Sequence, residues 1–318
     1  MTVVGIDVGG TTTRAAAYNG RTSRATRAAT APGGEALAAQ LTQMVSALEL
    51  DSAPTAIGIG IPGQVDLDTG VVRHAVNLGI DEYPIGAEVA RRLSVPVVVE
   101  NDVRVGAIGA FRYLTRTMTE LRDLIYVGIG TGISAGIVID GMIHRGRHGL
   151  AGEIGHLVVA TDGPECRCGL SGCLEAIVAG PALSARWPGG AAALFEASAA
   201  GDLDARPLAR QAGAYLASSM HWLAAAYDPD LIVLGGGVGS SGPWLVDHIR
   251  ESIAEMAGAS PFAAALVDPD RIIAIPSDVE VGTLGAAVMA RWVLESSGHP
   301  EHTLPIGRSE PTREEGKR

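Results

Sequence analysis

Apolar residues along this chain come in short blocks interrupted by glycine. The stretch "VVGIDVGGTTTRAAAYNG" starts as an apolar strand and turns at Gly9-Gly10. It resumes as an alternating strand that closes on Asn19-Gly20, a dipeptide that favours a hairpin turn. Residues 124–141, "LIYVGIGTGISAGIVIDG", repeat the plan, with a turn at Gly130-Thr131-Gly132 and an end at Asp140-Gly141. The repetition predicts two similar halves, each offering one glycine hairpin to a cleft between them. The continuous apolar runs "PTAIGIGIPG" and "VPVVVEND" read as buried strands, with a helix over about Ile85–Leu93 separating them. Ala-rich helices follow near 181–227, then the strand "DLIVLGGGVG" and a final helix over about Thr283–Leu294. From Glu295 the sequence turns polar and Pro-containing, which predicts a flexible tail over 295–318.

Composition and charge narrow the partners. A length of 318 residues exceeds what one compact core usually occupies, so two domains are expected, 1–120 and 121–294. With 47% hydrophobic residues, 42 Gly and only 4% aromatic residues, the chain is globular and rich in tight turns. A net charge of −11 with no basic stripe argues against nucleic acid as a partner. The opening "MTVVGIDVGG" lacks a charged leader, and no apolar run is long enough to span a membrane, so the cytoplasm is the expected compartment.

Three glycine-rich loops follow apolar strands. Gly9 and Gly10 let backbone N–H groups approach an anion, Thr11 and Thr12 follow them, and Asp7 is placed to hold Mg²⁺ through water. Gly130, Thr131 and Gly132 form the second loop, and Gly235, Gly236, Gly237 and Val238 the third. A single such loop reads first as a plain hairpin turn. Three together suit two phosphate grips and a platform for a nucleotide base. Asn101 and Asp102 stand where a strand ends and a helix begins, which suits a helix N-cap; an Asp there also suits proton acceptance from a hydroxyl attacking a phosphate. Arg104 beside it is expected to point into solvent.

All 3 cysteines fall within "CRCGLSGCLE". In a reducing compartment an odd number at this spacing argues against disulfides. His156, Cys166, Cys168 and Cys173 make a Cys₃His set suited to tetrahedral zinc, with Gly169 and Gly172 supplying the turns. Buried unligated thiols are the alternative.

Taken together, "DVGGTTTR", "GIPGQVD", "VENDV", "GTGIS", "GEIGH", "CRCGLSGCLE" and "LGGGV" resemble the ROK family of sugar kinases and repressors, within the actin-like ATPase superfamily, over residues 5 to about 290. The resemblance implies an α/β fold of two lobes, each built on a βββαβα-type domain, with the final helix packing back on the first lobe. It implies an ATP- and Mg²⁺-dependent kinase acting on a primary hydroxyl, most plainly the 6-hydroxyl of glucose. N-acetylmannosamine, an amino sugar or a cyclitol as acceptor, polyphosphate as donor, and a non-catalytic sugar-binding regulator stand as alternatives. Asp102 resembles the catalytic base. Gly63, Asn77, Asn101, Glu153, His156 and Glu175 resemble the acceptor-binding set, with His156 shared between sugar and a structural zinc. Asn77 also reads as a turn residue and Glu175 as a helix N-terminal carboxylate. The resemblance further implies a homodimer or tetramer. A repressor of this type carries a DNA-binding segment ahead of the first motif, and with Asp7 so near the start none is expected. Thr12 and Ser134 depart from the usual Lys and Gly, and "NDVRVGA" from the usual Asn-Asp-Ala-Asn-Ala-Ala.

Overall fold

The structure is a computed structural model that describes residues 1–20, 22–239 and 242–295. The first half opens with β1 (Val3–Val8), β2 (Thr12–Tyr18) and β3 (Thr22–Ala29), followed by α1 (Gly34–Ser46) and β4 (Ala56–Ile61). A small antiparallel sheet of β5 (Gln64–Asp66), β6 (Val71–Ala75) and β7 (Ile80–Tyr83) comes next, then α2 (Ile85–Leu93), β8 (Val97–Asn101) and α3 (Asp102–Leu114). The helix expected at Ile85–Leu93 forms with those bounds.

The second half repeats the scheme with β9 (Leu124–Ile129), β10 (Ile133–Ile139) and β11 (Met142–His144). The Ala-rich region becomes α4 (Leu174–Val178), α5 (Gly180–Arg186), α6 (Gly190–Ala199) and α7 (Ala205–Tyr227). Then follow β12 (Leu231–Gly235), α8 (Gly236–Gly239), α9 (Pro243–Ala259), α10 (Pro261–Leu266), β13 (Ile272–Ala274) and α11 (Val281–Glu295). Glu295 thus closes the last helix instead of opening the tail, and 296–318 lie outside the described residues.

The two main sheets have matching strand orders, β3-β2-β1-β4-β8 and β11-β10-β9-β12-β13. In each, two antiparallel hairpin connections precede two parallel ones. This is the duplicated, two-lobed actin-like architecture. The continuous apolar runs explain it: β1 and β4 are almost entirely buried because helices cover the first sheet, as parallel strands require.

Two helices join the halves. α3 packs on both β4 and β9–β10, and α11 returns across β1 and β4 to lie against α3. Glycine sets that approach: a Cβ at Gly109 of α3 would overlap the Val281 carbonyl oxygen, and one at Gly285 of α11 would overlap that of Val105. The Tyr18 hydroxyl of β2 meets the Thr283 hydroxyl of α11 at 2.8 Å. The end of the chain therefore braces the first sheet, and no described helix is long and apolar enough to cross a membrane.

Candidate active site

Each glycine hairpin is held by a side chain from outside it. In the first, the Gly9 N–H donates to the Thr12 carbonyl at 2.9 Å, which closes the turn. The Thr30 hydroxyl, just beyond β3, donates to the Gly9 carbonyl at 2.7 Å and meets the Thr13 hydroxyl at 3.0 Å. Thr11 stays exposed at the tip, and Gly10 lies beside Asn77. In the second, the Gly130 N–H donates to the Gly132 carbonyl at 2.9 Å and the Gly130 carbonyl accepts from the Gly180 N–H at 2.8 Å. The Ile133 N–H donates to Glu175 Oε2 at 2.9 Å. The third loop adjoins the second: Gly236 takes a φ of +79° at the end of β12, and the Gly237 amide lies beside Gly130. Val238 faces inward against the core beside Gly180.

Asp102 sits where the parallel strand β8 ends and α3 begins, the position at which clefts open in such sheets. Asn101 is the N-cap. Its Oδ1 accepts from the Val103 and Arg104 N–H groups at 3.2 and 3.4 Å, while its Nδ2 donates to the Gly63 carbonyl at 3.2 Å. Gly63, at a φ of +104°, is thereby fixed beside the site. One Asp102 oxygen accepts from the Val103 N–H at 2.9 Å.

Burial pushes the Asp102 carboxyl up to about 7, and the negative charge of Asp7 adds to the rise. Burial likewise raises Asp7 to about 6, against the pull of Arg14. The two carboxyls thus share one poorly solvated spot, a disposition suited to holding a cation and to taking up a proton near neutral pH. Tyr126 of β9, which sequence reading missed, belongs to the same spot. Its buried hydroxyl lies against Gly235 and accepts from the Gly236 N–H, and burial followed by the charges of Asp7 and Asp102 keeps it protonated. A tyrosine in an otherwise aliphatic strand was the available signal.

Of the remaining expected acceptor residues, Glu153, His156 and Glu175 come from the second half and Asn77 from the first. Glu153 is exposed and close enough to Asp102 for its charge to add to the raised pKa. His156 ends a short 3₁₀ turn at Ile154–His156 and is half-buried. Glu175, in the first turn of α4, spends one oxygen on the second hairpin, so it ties that hairpin to the Cys segment. Asn77, in the 3₁₀ turn Val76–Leu78, is exposed and accepts from Arg167 Nη1 at 3.4 Å, a contact from the first half to the Cys loop.

His156, Cys166, Cys168 and Cys173 place their donor atoms within 4.8 Å of one another. Cys168 and Cys173 sulfurs lie 3.6 Å apart, and Cys166 Sγ lies 3.7 Å from His156 Nδ1. A tetrahedron of Zn–S bonds of about 2.3 Å has edges of about 3.8 Å, so the donors fit such an ion. The Leu170 N–H pulls the Cys168 thiol down to about 7, whereas burial pushes Cys173 up to about 12. The loop holds its shape through the Cys166 N–H to Leu170 carbonyl bond of 2.7 Å, and Gly169 and Gly172 have φ of +91° and +78°.

Arg104 corrects the sequence reading. Its side chain is buried instead of pointing into solvent, because Glu100, itself buried, offers a carboxylate 3.2 Å from Nη1 and the Gly149 carbonyl accepts from Nη2.

The ROK family profile matches residues 3–292. The chain belongs to the ROK family. Among relatives it is 32% identical to a glucokinase of Halalkalibacterium halodurans over 61% of this chain and 65% of that one. It is also 32% identical to the bifunctional enzyme NanE/NanK of Brucella melitensis, over 91% of this chain and 54% of that one. The chain thus spans between half and two thirds of these two relatives. A ROK glucokinase from Streptomyces griseus, solved with glucose and AMPPNP, superposes with a TM-score of 0.76 at 30% identity, covering 92% of this chain and 99% of that one.

Proposed function

We propose that this ROK protein is an ATP-dependent sugar kinase that moves the γ-phosphoryl group to a primary hydroxyl of a hexose, glucose giving glucose 6-phosphate. The observation that carries the reading is Asp102: a half-buried carboxylate with a pKa near 7, at the junction of β8 and α3, close enough to Asp7 and Glu153 to feel both charges. The Streptomyces griseus relative, which binds glucose and a nucleotide analogue, supports it.

In this reading Asp102 accepts the proton of the attacking hydroxyl as a bond forms from that oxygen to phosphorus and the bond to ADP breaks. The two hairpins hold the phosphates through backbone N–H groups, with the β12–α8 loop against the nucleotide. Mg²⁺, when bound, neutralises charge developing on the phosphates, and Asp7 is the residue that would hold it through water. Asn77, Asn101, Glu153, His156 and Glu175 orient the sugar, and Gly63 lies against its ring. Zinc held by His156, Cys166, Cys168 and Cys173 fixes the His156 ring without entering the chemistry. The two lobes close over both substrates and exclude water. We place the enzyme in the cytoplasm, as a homodimer or tetramer.

The 29% identity to an N-acetylmannosamine kinase of Shigella flexneri, over 92% of this chain and 99% of that one, favours N-acetylmannosamine as the alternative acceptor. An ADP-release assay across glucose, N-acetylmannosamine, amino sugars and cyclitols, repeated with polyphosphate as donor, tests the reading. Turnover of glucose at least tenfold above the others is the expected result, and phosphate transfer to none of them would overturn it.

A further inference from the structure

We propose that Arg104, together with Glu100, is a positioning device that fixes the loop leading to Glu153 and His156 onto the helix that carries Asp102. Glu100, Arg104 and Arg145 form one buried network. Glu100 accepts from Arg104 Nη1 at 3.2 Å and from Arg145 Nε at 2.6 Å, and from the Asn101 N–H at 2.8 Å. The side chains of Glu100, Arg104 and Arg145 are only 1%, 7% and 11% exposed. Two guanidiniums face one carboxylate, and the Gly149 carbonyl supplies Arg104 with a further acceptor.

The placement of these groups along the chain gives the network its role. Glu100 directly precedes Asn101-Asp102, and Arg104 follows two residues later, so the network straddles the base. Arg145 and Gly149 bracket the irregular stretch after β11, and Glu153 comes four residues beyond Gly149. Within that stretch the Ala151 N–H donates to the Arg145 carbonyl at 3.1 Å and the Gly149 N–H to the Gly146 carbonyl at 3.4 Å. Beyond it, Gly152 pairs with β10 through its carbonyl, which accepts from the Ala135 N–H at 2.7 Å. Buried charges hold only one favourable arrangement when every partner is in place, and removing one leaves the others unpaired. The network therefore sets how far Glu153 and His156 stand from Asp102. A shift of about 1 Å in such a distance is worth up to a hundredfold in turnover.

The kinetic part of this inference rests on the sugar-kinase reading, and its structural part does not. In Arg104→Met, which keeps the bulk and removes the charge, the sugar KM is expected to rise about tenfold, with the ATP KM within twofold of wild type. Arg104→Lys, which keeps one charged donor, should recover part of that loss. In the ligand-free protein, hydrogen exchange at the amides of residues 145–152 should quicken at least tenfold in Arg104→Met, while β8 and α3 exchange as before. A sugar KM within twofold of wild type, unchanged loop exchange, or Arg104→Lys no better than Arg104→Met would each overturn the proposal. If Arg104→Met does not yield folded protein, Glu100→Gln is held to the same criteria. Should the wild type phosphorylate no acceptor, the sugar-kinase reading fails by itself, and the exchange measurement still decides the network's role.

Discussion

The two halves of the molecule share one strand order and differ in what stands between the third and fourth strands. In the first half that interval holds α1 and its short connections. In the second it runs from β11 to β12 and carries Glu153, His156, the three cysteines and α4–α7. The hairpins follow suit: the first is tied by the neutral hydroxyl of Thr30, the second by the carboxylate of Glu175, two residues after Cys173. Duplication thus supplies two similar glycine hairpins, while the large insertion ties the second of them to the Cys segment through Glu175. Under the proposed function this one side chain would couple the donor and acceptor sites, a link that Thr30 at the first hairpin does not make.

Asp102→Asn offers the harshest test, because it keeps shape and removes the proton acceptor. Turnover should fall by about a thousandfold or more with sugar binding by calorimetry retained; turnover within tenfold of wild type would refute the assigned role. Next in size, Cys168→Ser should raise the sugar KM by about ten- to a hundredfold with little change in the ATP KM, and elemental analysis, expected to give roughly one zinc per chain in wild type, should give none in the variant.

Glu175→Ala sharpens the contrast between the halves. It strands the Ile133 N–H, a penalty of about 1–3 kcal/mol, so both KM values should rise, by roughly tenfold. A rise for sugar alone would dissolve the coupling. Thr30→Val, its counterpart, removes the neutral hydrogen bonds to the Gly9 carbonyl and the Thr13 hydroxyl, of which the first, worth about 1 kcal/mol, holds the hairpin; about a fivefold loss confined to ATP is expected.

Between these in subtlety stands the pH profile. Asp102 must be ionised to accept a proton, and its folded pKa is about 7, so log kcat/KM should climb with unit slope below that pH and level above it. Asp7→Asn removes a charge that raises Asp102, and the limb should move to lower pH. The stability sign is opposite to that of an ordinary paired carboxylate. Both groups are raised above 3.8, so the stability they allow is full below that value and lost as pH rises through about 6 to 7. Asp102→Asn should accordingly melt higher than wild type at pH 8, with the gap closing near pH 4.

Much of this was legible in the residues. Glycine between apolar strands marked all three loops, since only those positions tolerate such close backbone approach, and the cysteine spacing brought four donors to one point. Arg104 was misread because a charged residue two positions into a helix ordinarily faces water. Glu100, four residues back at the end of the preceding strand, is a local acceptor, but Gly149, from a loop 45 residues away, appears only once the halves are packed. Tyr126 escaped notice for a similar reason, since its partners Asp7, Asp102 and Gly236 come from three separate segments.

The sequence by itself determined the local grammar: where strands stop, where the chain turns, and which thiols and imidazole can meet. Those features depend on steric freedom and spacing within a few residues. Tertiary structure alone decided that Asp7 comes close enough to raise the pKa of Asp102, that Arg104 reaches the Gly149 carbonyl, and that Glu175 serves the second hairpin. Each of these requires groups distant in sequence to share a poorly solvated volume, where desolvation and charge act over a few ångströms regardless of chain order.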